Sequence, residues 1–369
     1  MGSSARFLNS SAAASRLGVS VKALRIYEQR GLITPIRTEA GWRVYGPSEI
    51  GRAAEIASLR ALGFSLTQVA RVLQGDSSGL GPALAAHQAV LDDQLRLLAK
   101  RIERVRRLRD DLARGQAPMA IELTALTTLG TGLSVAFDLP WPWSGERFEL
   151  KQIRPLIYIT GPLGSGKTRL ALRLAETLPQ AAFLGMDRLA NGGAAAHARL
   201  EADPALKERV DQTMAWLTED GATVSGALIA LLAGLEADSP AILIIDMIEQ
   251  GLDQASQEAL IAHLRRRGPG ARPLFMLTRS CAILDLAAAG PDEAIILCPA
   301  NHNPPMHVAP HLGAPGYEAL ATCLASPEVR ARTNGVAAIR IDGWEADPRV
   351  APPSFIRPAS LARKGHPIA

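Results

Sequence analysis

Along "SAAASRLGVSVKALRIYEQRGLI" the apolar positions recur at helical spacing in two short runs separated by a turn. Ala13, Ala14 and Leu17 share one side of the first run, Gly18 permits the turn, and Leu24 and Tyr27 face the same core from the second. Ser20 stands where the second helix needs an N-cap, and Lys22 and Arg25 fall on its polar side. "IRTEAGWRVYGPSEI" then reads as a hairpin wing, with Gly41 at the turn and Arg43 and Tyr45 on one strand face. In "IGRAAEIASLRALGFSLTQVARVL" the helical period returns on both sides of Gly63. The expected order is helix-turn-helix, wing, helix pair.

Leu84, Leu91, Leu98, Val105 and Leu112 follow at seven-residue intervals, and Leu95 and Ile102 fill the intermediate seam. That spacing predicts a coiled-coil helix.

Beyond residue 150 the pattern changes to short, uninterrupted apolar runs: "LIYI", "AAFLGM", "AILIID", "PLFMLT" and "EAIILC", separated by helical segments. Strands that are apolar on both faces fit a parallel sheet covered by helices. "GLSVAF" and "RFELKQI" form a candidate hairpin ahead of the first of them. The expected fold is multidomain: an all-α winged helix-turn-helix over 1–78, a coiled-coil helix over 79–117, an α/β P-loop domain over 118–345, and a Pro-rich basic tail over 346–369.

Charge sharpens this division. Residues 1–116 carry 18 Lys/Arg against 10 Asp/Glu, a balance of +8, and the remainder carries 22 against 26, a balance of −4. A nucleic-acid partner is therefore expected for the front third alone. Three cysteines, Cys281, Cys298 and Cys323, are too few for a secreted disulfide scaffold. With no charged-then-apolar leader and no apolar run of ~18 residues, a soluble cytoplasmic protein without a membrane partner is expected.

The segments "RLGVSVKALRIYEQRGLI", "GWRVYGPSEI" and "RALGFSLTQVARVL" closely resemble the MerR family of transcription regulators across about residues 7 to 75. Ala23 and Ile26 stand where Thr and Tyr are common in that family, and Trp42 replaces its usual wing Tyr. The resemblance implies contact with double-stranded promoter DNA through Ser20, Lys22, Arg25 and Tyr27 of the helix-turn-helix, and Arg37, Trp42, Arg43 and Tyr45 of the wing. It also implies a homodimer through the coiled coil, and RNA polymerase as a partner at the promoter. Metal-sensing members carry cysteines around the coiled-coil helix; this chain has none there.

The strongest chemical signal is "GPLGSGKT", Gly161 to Thr168, between a predicted strand and a predicted helix. Glycines let the loop of Gly161, Pro162, Leu163, Gly164, Ser165 and Gly166 curl so that its backbone amides, all but that of Pro162, face phosphate, Lys167 reaches the β- and γ-phosphates, and Thr168 coordinates magnesium. ATP and Mg2+ are the expected ligands. Asp246, ending "AILIID", matches the carboxylate that completes the magnesium shell.

Residues 145 to 300 resemble ABC-type ATPases and their SMC and RecF relatives. Val224, Ser225 and Gly226 sit where the signature begins, and "DMIEQGLD" aligns with their "DEPExGLD". Met247 replaces the expected glutamate and Arg279 the expected histidine. Loss of a general base removes ~10²–10⁴-fold in rate, so slow or absent hydrolysis is expected, with Glu249 as the substitute base if the loop bends back.

Two further readings stay open on sequence alone. A small-molecule kinase carrying its own repressor would use Asp187 of "FLGMDRLANGG" as base, and a DNA-maintenance ATPase would borrow the DNA-binding module for targeting. Cys298, His302, His307 and His311 are zinc ligand types at a spacing that matches no standard site.

Overall fold

A computed structural model of the chain describes residues 7–114, 133–268 and 271–325. The predicted tail, 346–369, and the predicted boundary near residue 118 lie outside them.

The first module runs β1 (Leu8–Asn9), α1 (Ser10–Leu17), α2 (Val21–Gln29), β2 (Ile36–Arg37), β3 (Arg43–Tyr45), α3 (Pro47–Ala61) and α4 (Leu66–Leu73). Each helix start has a local cause. Asn9 Oδ1 accepts from the amide of Ala12 at 2.8 Å, Ser20 Oγ accepts from Ala23 at 3.0 Å, and Ser65 and Gln68 bond reciprocally in a capping box. Gly18, at φ 66°, ends α1 in the left-handed region that a side chain would strain. Ala13, Leu24, Tyr45, Ala53, Ile56, Phe64 and Val69 form the buried centre.

The module is not all-α: the expected wing is the β2–β3 hairpin, and β1 adds to β3 to make a three-stranded antiparallel sheet, with Leu8 opposite Tyr45 and Ile36 opposite Val44. The two-residue β1 is too short to leave an alternation in sequence. Beyond α4, helix α5 (Leu80–Ala113) extends for 34 residues.

The second region opens with an antiparallel hairpin, β4 (Val135–Asp138) and β5 (Arg147–Leu150). Then come β6 (Leu156–Thr160), α6 (Lys167–Thr177), β7 (Ala181–Leu184), α7 (Ala194–Ala202), α8 (Pro204–Glu219), α9 (Gly226–Leu235), β8 (Ile242–Ile245), α10 (Gln254–Arg265), β9 (Leu274–Leu277), β10 (Glu293–Leu297), β11 (Met306–His307) and α11 (Tyr317–Cys323). The sheet order is β11-β10-β6-β9-β8-β7, parallel except for β11. This is a mixed α/β sheet.

Alternate side chains of one strand feed two cores. Leu156 and Tyr158 of β6 join the face covered by α8, α9 and α10, whereas Ile157 and Ile159 join the face covered by α6 and the β4–β5 hairpin. Burial on both faces explains the unbroken apolar runs. No helix among the described residues is long and apolar enough to cross a membrane.

Candidate functional site

The loop after β6 is built around glycine. A Cβ on Gly161 would collide with the carbonyl of Cys298 at the end of the neighbouring strand β10, and one on Gly166 would fall 2.6 Å from the ring of Trp143. Gly161, Gly164 and Gly166 have φ of 151°, 78° and 87°, conformations that a side chain would strain. α6 begins at Lys167, so its free N-terminal amides open onto the same space.

Lys167 is buried, and its Nζ donates to the carbonyls of Gly161 at 3.0 Å and Pro162 at 2.7 Å. Burial pulls its pKa down to about 8, and the nearby Arg279 pushes the same way. A buried ammonium bonded to neutral carbonyls would be better paired by a polyanion that took their place.

Asp246 follows β8, and its Oδ2 stands 3.5 Å from Thr168 Oγ1. Burial raises the Asp246 carboxyl pKa, with Arg188 and Lys167 opposing. The following turn is clamped by buried Arg188, whose guanidinium donates to the carbonyls of Gly185 at 2.8 Å, Asp246 at 2.7 Å and Met247 at 2.8 Å. Sequence reading missed Arg188, because a single arginine beside Asp187 carries no spacing that marks it as buried.

Met247 lies at φ 45°, a conformation that costs a non-glycine residue about 1–2 kcal/mol. Glu249 is buried, and its Oε1 accepts the backbone amide of Arg279 at 3.0 Å, which ties the turn after β8 to the end of β9. Ser225 caps α9 by accepting from Leu228 at 3.2 Å, Gly226 packs against the carbonyl of Gly192, and Val224 is exposed.

The residues expected on the DNA-facing surface divide in two. Arg25, Arg37 and Trp42 are exposed, and Arg43 is half-buried. Arg37 and Arg43 both pair with Glu28, which fixes the wing against α2. Although slight burial pushes the other way, these guanidinium groups hold the Glu28 carboxyl below its usual range. Lys22 pairs with Glu258 of α10 at 3.0 Å.

Ser20, Tyr27 and Tyr45 are corrections to the sequence reading. Ser20 is buried with its hydroxyl spent on the α2 cap, and Tyr27 and Tyr45 lie in the module's core. At 0% exposure Tyr45 cannot reach a phosphate, and its hydroxyl has no hydrogen-bond partner in this fold.

Along α5 the seam residues Leu84, Leu91, Leu95, Leu98, Ile102, Val105 and Leu112 are all exposed. Cys298 is fully buried, which pushes its thiol up to about 12, while His302, His307 and His311 are exposed. Among the described residues no group of three or more His, Cys, Asp or Glu side chains converges on a metal position.

The pattern of MerR HTH family regulatory proteins matches residues 8–76. Over 126 residues the chain is 32% identical to a Haemophilus influenzae protein named "Probable heavy metal-dependent transcriptional regulator", covering 32% of this chain and 98% of that one. A solved structure of HiNmlR, a MerR family regulator lacking the sensor domain and bound to promoter DNA, is 22% identical with a TM-score of 0.25, over 30% of this chain and 97% of that one. An inward-facing metal-chelate type ABC transporter is 14% identical with a TM-score of 0.34, over 48% of this chain and 82% of that one. The helix-turn-helix, wing and helix pair define a winged helix-turn-helix regulator. The chain belongs to the MerR family.

Proposed function

We propose that this chain is a transcription regulator that binds double-stranded promoter DNA as a homodimer paired through α5, and that its α/β domain binds Mg-ATP as an effector, with slow or no hydrolysis. One observation carries the effector reading: Lys167, Thr168 and Asp246 converge beside a glycine loop in a chain whose residues 8–76 are a MerR module.

The geometry fits the nucleotide. Amides of the 161–168 loop other than Pro162 and the N-terminus of α6 would hold the phosphates, Lys167 would reach the β- and γ-oxygens, and Thr168 and Asp246 would hold the magnesium shell. Magnesium supplies neutralisation of charge on the phosphate oxygens.

An ABC-like arrangement is supported by the sheet. β9 stands between β6 and β8, so Thr278 and Arg279 follow a strand flanked by the two that lead to the glycine loop and to Asp246. The kinase reading fits less well, because β7, which delivers Asp187, is three strand positions from β6, about 14 Å across the sheet. Met247 cannot accept a proton, and the Glu249 carboxylate is engaged by the Arg279 amide. Both favour holding nucleotide over turning it over.

On this reading nucleotide acts by favouring one arrangement of the dimer, which alters how promoter DNA is bent toward RNA polymerase. The test is promoter affinity and bending with and without Mg-ATP, in the wild type and in Lys167→Ala. A nucleotide-dependent change confined to the wild type is expected; identical values in all four conditions would remove the effector reading.

A further inference from the structure

The DNA-binding module meets the α/β domain through carboxylates. Asp220, just past the end of α8, has a side chain 4% exposed and takes both terminal nitrogens of Arg60. It also accepts the amide of Leu66, the first residue of α4, at 2.8 Å. Its carbonyl accepts from Arg30 at 3.0 Å, where a Cβ on Gly221 would collide with the guanidinium. Glu219 accepts from Ser65 at 2.9 Å, and Trp216 Nε1 donates to the carbonyl of Gly63 at 3.1 Å.

A second contact lies on α10, where Glu258 pairs with Lys22. Lys22 and Arg30 bracket α2 at positions eight apart, so one face of the candidate recognition helix is turned toward carboxylates and carbonyls of the α/β domain. These acceptors are what a DNA backbone would offer the same cations.

We propose that the α/β domain is a tethered competitor of DNA: Glu258 holds the face that carries Lys22, the Glu219–Asp220 pair holds the module by Arg60 and the start of α4, and promoter DNA binds the fraction of molecules in which this docking is released. The inference rests on the DNA-binding reading above. Both contacts continue directly from the nucleotide site. α10 is capped by Asp253, at the end of the turn that begins with Asp246, and Asp220 lies on the segment leading to Ser225. The amide of Thr223 donates to Ser256 Oγ at 2.9 Å, which ties the two segments together.

The test uses the full chain and two readouts: hydrogen exchange at the Leu66 amide for docking, and titration with a duplex of the protein's own upstream promoter for DNA. Glu258→Gln removes one half-exposed pair and is expected to tighten DNA binding about threefold, because affinity scales with the released fraction. Asp220→Ala leaves Arg60 without its buried partner and is expected to expose Leu66 to exchange and tighten DNA binding by about tenfold or more. Lys22→Ala should weaken DNA binding more in the Glu258→Gln background than in the wild type.

Loss of Leu66 protection with unchanged or weaker DNA affinity would overturn the competition. If Asp220→Ala fails to fold, Glu258→Gln and its cycle with Lys22→Ala decide alone, and a cycle without coupling overturns it. Absence of salt-dependent duplex binding in every protein, with docking intact, would instead remove the DNA-binding reading and this inference with it.

Discussion

The two regions hold the cations proposed to meet phosphate in opposite environments. In the helix-turn-helix module Arg25 is exposed, and Arg37 and Arg43 lean on Glu28 at the surface. In the α/β domain Lys167 is buried, pressed against carbonyls of its own loop. A surface cation keeps its water and gives a contact that salt weakens. A buried one is retained only where the backbone is shaped to receive it, so its site depends on every glycine in the loop.

The largest expected effect concerns turnover. If the turn after Asp246 has ABC-like geometry, Met247→Glu restores a proton acceptor and raises ATP hydrolysis by about 10²-fold or more, read as phosphate release. No gain would return attention to Glu249 or to the kinase reading. Next comes Lys167→Ala, which removes a charge-assisted contact and should weaken Mg-ATP about 10- to 100-fold in an equilibrium titration while leaving promoter binding without nucleotide intact.

Gly166→Ala probes the shape of the loop instead of its charge. With φ 87° and Trp143 at 2.6 Å from the new methyl, a loss of about 1–3 kcal/mol in denaturant unfolding is expected. A neutral result would mean that the loop can open without cost, against the comparison drawn above. The smallest effect belongs to the surface: Arg25→Ala should lower the slope of log affinity against log salt by about one unit and weaken binding similarly across sequences. A sequence-selective loss would make Arg25 a base contact.

Much of this was legible because it is local. The Ser20 cap, the Gly18 turn, the Gly41 hairpin and the glycines of "GPLGSGKT" each express a backbone requirement within a few residues, and the structure realises each one. Leu24 and Tyr27 were readable as core from their spacing, yet the family resemblance also assigned Tyr27 to DNA; burial decides for the core. Periodicity shows which positions share a face, but not which neighbour covers that face. Lys22 illustrates the same limit, since nothing in "SVKALRIY" announces Glu258, 236 residues later.

By itself the sequence determined the order of helices, wing and parallel strands, the glycine-rich loop between β6 and α6, and the absence of a glutamate after Asp246. Those features follow from short-range periodicity and backbone sterics, which a linear text carries completely. Only the tertiary structure decided that β9 lies between β6 and β8, that Arg188 clamps the turn, and that Asp220 and Glu258 hold the DNA-binding module. Strand order and ion pairing join residues dozens to hundreds of positions apart, and their energies depend on burial that no local pattern encodes.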